Sequence, residues 1–210
     1  MFDTMLFVDF DGTITSQETL EGSMRLCIDP VLYDEKEREM LAGKHTLAET
    51  LHMAFAMIPG HRLAQMLDYV KTVPLRAGFA ELLDQMDALG IPVVVISGGL
   101  KPYVEEVLAP YRAKLLDVYS VETDCREAQI RLHSDYEADG EIMQKTLVMA
   151  QYDYKKAVCI GDGYTDVRMA LASELVFARD TLAGILEKRG VPYRPWQDFY
   201  DVARCISCSR

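Results

Sequence analysis

The chain has 210 residues, half of them hydrophobic, and a net charge of −11. That length predicts one domain, or one domain with a modest insertion, and the hydrophobic content is enough for a full core. The negative charge argues against nucleic acid and anionic membranes as partners, and no apolar run is long enough to span a bilayer. Because the sequence shows no signal peptide, we expect a cytoplasmic protein, either a monomer or a homodimer.

Three short segments have the pattern of strands that are buried on both faces: residues 5–10, 91–99 and 157–162. Each is a continuous apolar run, which is typical of parallel strands covered by helices on both sides. A helix is predicted at residues 77–90, because apolar residues recur there at helical spacing and Gly90 can end it. This alternation predicts an α/β fold around a Rossmann-like parallel sheet.

Two further segments do not fit a simple alternation of strands and helices. Residues 16–74 contain several consecutive helical patterns and no strand pattern. We interpret them as a small helical insertion, so that residues 1–15 and 75–210 form the core domain. Residues 116–134 predict a strand, a polar break and a second, weakly alternating strand.

Each of the three predicted strands ends in polar residues: Asp9 and Asp11 follow the first, Ser97 the second, and Asp162 and Asp166 the third. Ligands of open parallel sheets bind outside the carboxyl ends of the strands, so these side chains are expected to meet in one site. Gathered carboxylates repel one another unless a cation lies between them, and Mg²⁺ prefers such oxygen ligands. An aspartate beside Mg²⁺ and a phosphate can act as a nucleophile, while a second acid moves protons.

The motifs, taken together and in this order, resemble those of the haloacid dehalogenase (HAD) superfamily of phosphatases. Residues 9–13 match its DxDx[TV] pattern, Ser97 matches its Ser or Thr after the second strand, and residues 161–166 match its GDxxxD pattern. The helical insertion resembles the C1-type cap of the phosphoserine phosphatase-like branch. Within that branch, residues 176–202 are similar to methionine-salvage phosphatases that act on 2-hydroxy-3-keto-5-methylthiopentenyl-1-phosphate.

This resemblance implies a role for each matching acid. Asp9 is expected to be the nucleophile and Asp11 the general acid and base. Mg²⁺ is the implied cofactor, held by Asp9, by Asp11 through its carbonyl, and by Asp162. Asp166 is expected to support the metal shell from behind.

The resemblance also implies how a small phosphorylated metabolite is held. Ser97, Gly98 and Thr13 are expected to bind the phosphate group. Glu18, nine residues after Asp9, matches a cap residue of the family that contacts the substrate.

The catalytic lysine of the family has no direct match. The position expected from phosphoserine phosphatases holds Asp139, an acid of the wrong sign. Lys145 is the first candidate to replace it, provided that a helix begins near Gly140 and directs its start at the site. Lys101, just after the SGG motif, is the second candidate.

The insertion also departs from phosphoserine phosphatases. Ala54 stands where they carry an arginine for the substrate carboxylate, so bidentate carboxylate recognition is lost. Glu18, with apolar neighbours such as Met53, Phe55 and Met57, predicts a less acidic organic phosphate as substrate.

The sequence therefore predicts a Mg²⁺-dependent phosphomonoesterase that forms an aspartyl phosphate. Phosphotransfer to a small alcohol shares the first half-reaction and stays open, as does hydrolysis of phosphoserine. Asp139 at the lysine position also leaves open a HAD-like protein that binds its ligand with weak turnover. A receiver-type signalling module is disfavoured by the DxDxT spacing and by the length of the chain.

Overall fold

A computed structural model of the chain describes residues 1–126 and 128–208. It contains seven strands: β1 (Phe2–Val8), β2 (Val93–Leu100), β3 (Asp117–Asp124), β4 (Arg131–His133), β5 (Tyr154–Gly161), β6 (Leu175–Ala178) and β7 (Arg194–Pro195). They form one sheet in the order β4-β3-β2-β1-β5-β6-β7. All neighbours are parallel except β3 and β4, which are antiparallel. The α/β fold predicted from the sequence is confirmed.

The described residues form ten α-helices: α1 (Thr19–Arg25), α2 (Pro30–Leu41), α3 (Leu47–Phe55), α4 (Leu63–Val70), α5 (Phe79–Leu89), α6 (Lys101–Leu108), α7 (Lys145–Met149), α8 (Val167–Leu171), α9 (Asp180–Lys188) and α10 (Phe199–Cys208). The predicted helix after the insertion corresponds to α5, and Gly90 ends it with a left-handed φ of 65°. Within the described part of the chain, no helix has the length and apolar character needed to cross a membrane.

The central strand β1 explains why the predicted strands are apolar without alternation. Met5 and Phe7 face one hydrophobic layer, whereas Leu6 and Val8 face the other, and all four side chains are fully buried. Residues of α7, α8 and α9 belong to the first layer, and residues of α5 and α10 belong to the second. Burying an aliphatic or aromatic side chain of this size contributes about 1.5–3 kcal/mol, so the sheet needs apolar residues at every position.

Helices α1 to α4 lie between β1 and α5 in the chain; residues 16–74 are called the helical segment below. Its two ends meet, because Thr15 forms an antiparallel bridge with Leu75 and the Ser16 N–H donates to the Pro74 carbonyl at 2.9 Å. The chain thus enters and leaves the helical segment through one narrow, paired neck.

The far side of the helical segment is bonded to the chain between β3 and β4. The Ile130 N–H donates to the Ile58 carbonyl at 3.0 Å, and the Gly60 N–H donates to the Ala128 carbonyl at 2.9 Å. These backbone bonds satisfy groups that would otherwise be left without partners. The helical segment is therefore bonded to the rest of the chain at the neck and at this β3–β4 contact, and also through the Ala48 N–H, which donates to the Gly140 carbonyl at 2.9 Å.

Candidate active site

Three carboxylates meet at the carboxyl edge of the sheet, where β1 lies between β2 and β5. Asp9, Asp162 and Asp166 each have a carboxylate oxygen within 4.8 Å of the others, and all three residues are buried. Clustered oxygen donors of this kind suit a hard divalent cation. The sequence predicted Asp9 and Asp162 as metal ligands, and the structure places Asp166 in the same cluster.

Lys145 lies inside this cluster. Its Nζ donates to Oδ1 of Asp9 at 2.5 Å and to Oδ1 of Asp166 at 2.6 Å, and its side chain is 1% exposed. Burial alone would lower the pKa of Lys145, but the charges of Asp166 and Asp9, with the hydrogen bonds to both, outweigh burial and raise it. The lysine therefore stays an ammonium that partly neutralises the cluster.

The local structure that positions Lys145 differs from the one predicted. Helix α7 begins at Lys145 itself rather than near Gly140. Asp139 and Gly140 have φ angles of 51° and 80°, which produce a tight turn instead of a helical start. The Asp139 carboxylate binds Arg168 at 3.1 Å and the side-chain amide of Gln144 at 2.9 Å. The acid at the family lysine position is thus held by an arginine on α8.

Lys101, the second candidate, lies outside this arrangement. Its Nζ is 2.5 Å from Glu122 and 3.9 Å from Glu105, and its side chain is 40% exposed. The geometry favours Lys145 over Lys101 as the cation of the candidate site.

Two acids of the cluster, Asp9 and Asp162, have raised pKa values. Burial, together with the charge of Asp166, raises the pKa of Asp9 well above its usual range, while Lys145 opposes the shift. Burial also raises the pKa of Asp162 to about 6, although the Thr13 hydroxyl donates to its Oδ1 at 2.6 Å. These shifts reflect the cost of holding carboxylates together away from water, which a bound cation would offset.

Two glycines allow the acids to approach the backbone closely. Gly12 has a φ of 78°, and a Cβ there would lie 2.5 Å from Oδ2 of Asp162. A Cβ at Gly161 would lie 2.6 Å from the Asp166 carboxyl group. Any larger residue would displace the carboxylates, which gives a physical reason for glycine in both motifs.

Asp11 turns its carboxylate toward the helical segment. It accepts hydrogen bonds from the backbone N–H groups of Thr19 and Leu20, the latter at 2.9 Å, at the start of α1. Burial raises the pKa of Asp11, against the lowering effect of these N–H groups. Through these hydrogen bonds, Asp11 links the loop after β1 to the helical segment. Asp11 also lines the cavity described below.

The expected phosphate-binding residues lie at different depths. The SGG motif is part of β2, whose pairing with β3 shifts register between Ile96 and Leu100, and Gly98 and Gly99 line the cavity. Ser97 is fully buried, and its Oγ accepts the Gly99 N–H at 2.9 Å. Thr13 is also fully buried, with its hydroxyl bonded to Asp162. Phosphate binding by Ser97, Gly98 and Thr13 stays a prediction.

A cavity of about 280 Å³ opens above the carboxylates. Its floor is acidic, whereas its wall consists mainly of apolar side chains from the helical segment. We call these eight residues the apolar wall: Leu20, Met24, Ile28, Met40, Leu47, Leu51, Ala54 and Met57.

Glu18 lines the cavity at the boundary between the acidic floor and the apolar wall. Its Oε1 lies 3.0 Å from where a Cβ on Gly12 would be. Burial, followed by the charges of Asp11 and Asp162, raises the pKa of Glu18 to about 9. A carboxyl group in this setting can keep a proton and donate a hydrogen bond to a ligand.

The wall differs in part from the neighbours expected of Glu18. Met57 lines the cavity, but Phe55 is fully buried in the core and, like Met53, is not among the described lining residues. Leu47 and Leu51 were not expected in the wall from the sequence, although their spacing with Ala54 marks one helical face of α3. Among the described residues that line the cavity, Lys36 is the one cation, and its ammonium binds the Glu39 carboxylate at 2.8 Å.

Comparisons with known proteins show relatives of this chain in sequence and in fold. The sequence profile of the haloacid dehalogenase-like hydrolases matches residues 6–171. A 2-hydroxy-3-keto-5-methylthiopentenyl-1-phosphate phosphatase of Microcystis aeruginosa NIES-843 is 36% identical over 202 residues, which cover 94% of this chain and 95% of that protein. An enzyme of the same name from Brevibacillus brevis is 28% identical, with coverages of 96% and 94%. A crystal structure of phosphoserine phosphatase from T. onnurineus shares the fold, with a TM-score of 0.71, 19% identity and coverages of 98% and 94%.

Proposed function

The chain belongs to the haloacid dehalogenase-like hydrolase family, and we propose that it hydrolyses a small organic phosphomonoester through an aspartyl phosphate on Asp9. The observation that carries this proposal is the buried Lys145 ammonium between Asp9 and Asp166, at the floor of a cavity. An acid held beside a cation and open to a cavity is suited to attack phosphorus.

We further propose that residues 1–15 and 75–210 form a catalytic core and that residues 16–74 form a cap. The paired neck supports this division, because the only chain connections of the helical segment pass through it. The cap supplies the apolar wall and the core supplies the floor, so substrate selection and chemistry are assigned to different parts of the chain.

The donor set fits Mg²⁺, because oxygens of Asp9, Asp162 and Asp166 gather in a buried cluster. We assign Asp9, Asp162 and the main-chain carbonyl of Asp11 as ligands, with Asp166 as a supporting residue. When bound, Mg²⁺ would neutralise carboxylate charge and polarise a phosphoryl oxygen.

In the first half-reaction, a carboxylate oxygen of Asp9 attacks phosphorus and the bond from phosphorus to the substrate oxygen breaks. Asp11 donates its proton to that departing oxygen, which leaves as an alcohol. Lys145 holds Asp9 in place and stabilises negative charge near the transferring group. Asp166 keeps Lys145 and the loop after β5 in position, because its Oδ2 accepts the N–H groups of Asp162 and Gly163 at 3.0 and 2.9 Å.

In the second half-reaction, water attacks the phosphorus of the aspartyl phosphate. Asp11, now a carboxylate, takes a proton from this water, and the bond between phosphorus and the Asp9 oxygen breaks. Inorganic phosphate leaves, and both acids return to their starting protonation states.

The apolar wall of the cavity favours a substrate whose organic group is uncharged and apolar. Ala54 lies in this wall where phosphoserine phosphatases carry an arginine, so nothing at this position pairs with a substrate carboxylate. Phosphoserine is therefore disfavoured. The names of the relatives give 2-hydroxy-3-keto-5-methylthiopentenyl-1-phosphate as their substrate. This ester combines a phosphate with an apolar tail, and we propose it as the substrate of this chain.

A phosphomonoester panel tests this function. The panel contains this substrate, short alkyl phosphates, phosphoserine and p-nitrophenyl phosphate, each measured with Mg²⁺ and with a chelator in its place. We expect phosphate release that depends on Mg²⁺, is abolished in Asp9→Asn, and is faster for apolar esters than for phosphoserine. Wild-type protein that hydrolyses none of these esters would exclude the proposed function.

A further inference from the structure

Two sequence motifs have no role in the mechanism above: FARD at residues 177–180 and PWQDFY at residues 195–200. In the structure both lie near the neck of the helical segment, where they surround Arg76. We call four residues of this region the Arg76 brace: Arg76, Arg179, Trp196 and Gln197.

Arg76 forms hydrogen bonds with the loop that follows Asp9 and Asp11. Its guanidinium donates to the Gly12 carbonyl at 2.5 Å and to the Thr13 carbonyl at 2.9 Å. Its own backbone N–H donates to the Ile14 carbonyl at 2.8 Å. Three consecutive peptide groups directly after Asp11 are therefore fixed by one residue, and a planar guanidinium fork is suited to such a task.

The other members hold the guanidinium in place. Arg76 lies 5.3 Å from the centre of the Trp196 ring, and Arg179 lies 5.5 Å from it. The Gln197 carbonyl accepts hydrogen bonds from Arg179 at 3.0 Å and from Arg76 at 3.4 Å. Trp196 is 4% exposed and its Nε1–H has no hydrogen-bond partner among the described residues, so its contribution here is the ring face that contacts the two cations.

Bringing two guanidinium groups together has an electrostatic cost. Burial and the charge of Arg179 lower the pKa of Arg76. Arg179 is itself paired with Asp180 at 2.8 Å. Backbone carbonyls, the indole ring and this acid offset the repulsion between the two guanidinium groups.

The same region also reaches the loop after β5. The Leu182 N–H, in the first turn of α9, donates to the Asp162 carbonyl at 2.8 Å. The segment that carries Arg179 therefore contacts one acidic loop through α9 and the other acidic loop through Arg76.

We propose that Arg76 is a positioning residue, which the brace holds so that the loop from Asp11 to Thr13 keeps Asp11 aligned for proton transfer. This inference rests on the proposed function, because it assumes that Asp11 protonates the leaving oxygen. Arg76 acts through the loop and does not touch the reacting atoms.

The leaving group separates this role from general support of the fold. An alkyl phosphate needs protonation of its leaving oxygen, whereas p-nitrophenyl phosphate releases a phenolate that needs little help. A misplaced Asp11 should therefore slow the alkyl ester selectively, whereas partial unfolding should lower the rates for both esters by the same factor.

The experiment compares wild type, Arg76→Lys, Asp11→Asn and Arg112→Lys for kcat/KM on both esters, with thermal unfolding measured alongside. Arg112 is the matched control, because it also donates to a backbone carbonyl, that of Leu115 at 2.9 Å, on another part of the surface. We expect Arg76→Lys to lose about 10- to 100-fold on the alkyl ester and less than about threefold on p-nitrophenyl phosphate. Asp11→Asn should show the same selectivity, and Arg112→Lys should match wild type on both.

Equal losses of Arg76→Lys on the two esters, or no loss, would overturn the inference while leaving the proposed function intact. If Arg76→Lys does not fold, Trp196→Phe provides the same comparison, with a smaller selective loss expected and an equal or absent loss again overturning the inference. Two other results would show that the proposed function itself is wrong. One is wild-type protein that is inactive on both esters, and the other is an Asp9→Asn variant that is as active as wild type.

Discussion

The floor and the apolar wall of the cavity are built in opposite ways. The floor brings together the carboxylates of Asp9, Asp162 and Asp166, which follow buried parallel strands. Lys145, at the start of a short helix, contacts Asp9 and Asp166. The wall presents Leu, Ile and Met side chains from helices that join the core through a narrow neck. On the proposed function, the sheet edge carries the chemistry and the helical surface determines which substrate is accepted. Substitutions in the floor should lower kcat, and substitutions in the wall should raise KM.

The largest effect is expected from Asp9→Asn. The amide keeps the shape of the side chain but is a poor nucleophile, so no aspartyl phosphate can form. We expect kcat to fall by about 10⁴-fold or more on every ester. Steady-state assays with Asp3→Asn as the control check this, because Asp3 is an exposed acid on β1, the strand that leads into Asp9. A kcat within tenfold of wild type would contradict the assignment of the floor.

Lys145→Met should have the next largest effect. The substitution leaves Asp9 and Asp166 buried without their shared cation, which costs about 3–5 kcal/mol of unfolding free energy. We expect kcat to fall on the order of 10²- to 10³-fold, with stability partly restored by Mg²⁺. Denaturant unfolding with and without Mg²⁺, beside kinetics, measures both effects. Normal stability together with normal kcat would rule out the central position that we give to this lysine.

Glu18→Gln tests the boundary between floor and wall. If Glu18 donates a hydrogen bond to the organic part of the substrate, its loss should raise KM by about 5- to 30-fold, with a smaller change in kcat. Glu35→Gln, on the exposed surface of α2, serves as the matched control. A fall in kcat with KM unchanged would contradict a role of Glu18 in substrate binding and would indicate a role in the chemical step.

Leu51→Asn tests the wall itself. A buried amide without a partner opposes an apolar group, so KM for apolar esters should rise about tenfold, equivalent to about 1.4 kcal/mol. The kcat should stay within about twofold of wild type. Leu41→Asn, at a leucine that is 77% exposed, should leave both constants unchanged. If KM is unchanged in Leu51→Asn, the substrate does not contact the apolar wall.

Lys101→Met is expected to have the smallest effect. The exposed ion pairs of Lys101 with Glu122 and Glu105 contribute about 1 kcal/mol or less. We expect kcat and KM within about twofold of wild type, in contrast to Lys145→Met. A large loss of kcat in Lys101→Met would reverse the choice between the two lysines.

The sequence predicted the floor better than the wall, for physical reasons. Strands covered on both faces have an unmistakable apolar pattern, and parallel strands must bring Asp9 and Asp162 to one edge. The parallel core, the helical insertion and the β3–β4 pair were all predictable from local patterns. Asp166 was expected at the same edge of the sheet, whereas its direct contact with Lys145 was not, because a contact between residues so far apart in the chain leaves no local pattern.

Other features depend on tertiary packing that no local pattern records. Helical spacing identifies the faces of α3, but not which face meets the cavity, and Phe55 proved to be core. The turn at Asp139 and Gly140 replaced a predicted helix start, because two left-handed residues favour a tight turn. The Arg76 brace brings residues 76, 179, 196 and 197 together beside the loop at Gly12, and the distance between these residues along the chain hides their contact.

Trapping of the phosphorylated enzyme tests the central claim most directly. The protein is mixed rapidly with p-nitrophenyl phosphate and Mg²⁺ and quenched, and the acyl phosphate is reduced with borohydride before peptide mass spectrometry. We expect that the side chain at position 9 is reduced to homoserine, and that the signal depends on substrate and is absent from Asp9→Asn. Turnover of the ester with the reduced product at another carboxylate, or with none above background at any position, would contradict an aspartyl phosphate on Asp9.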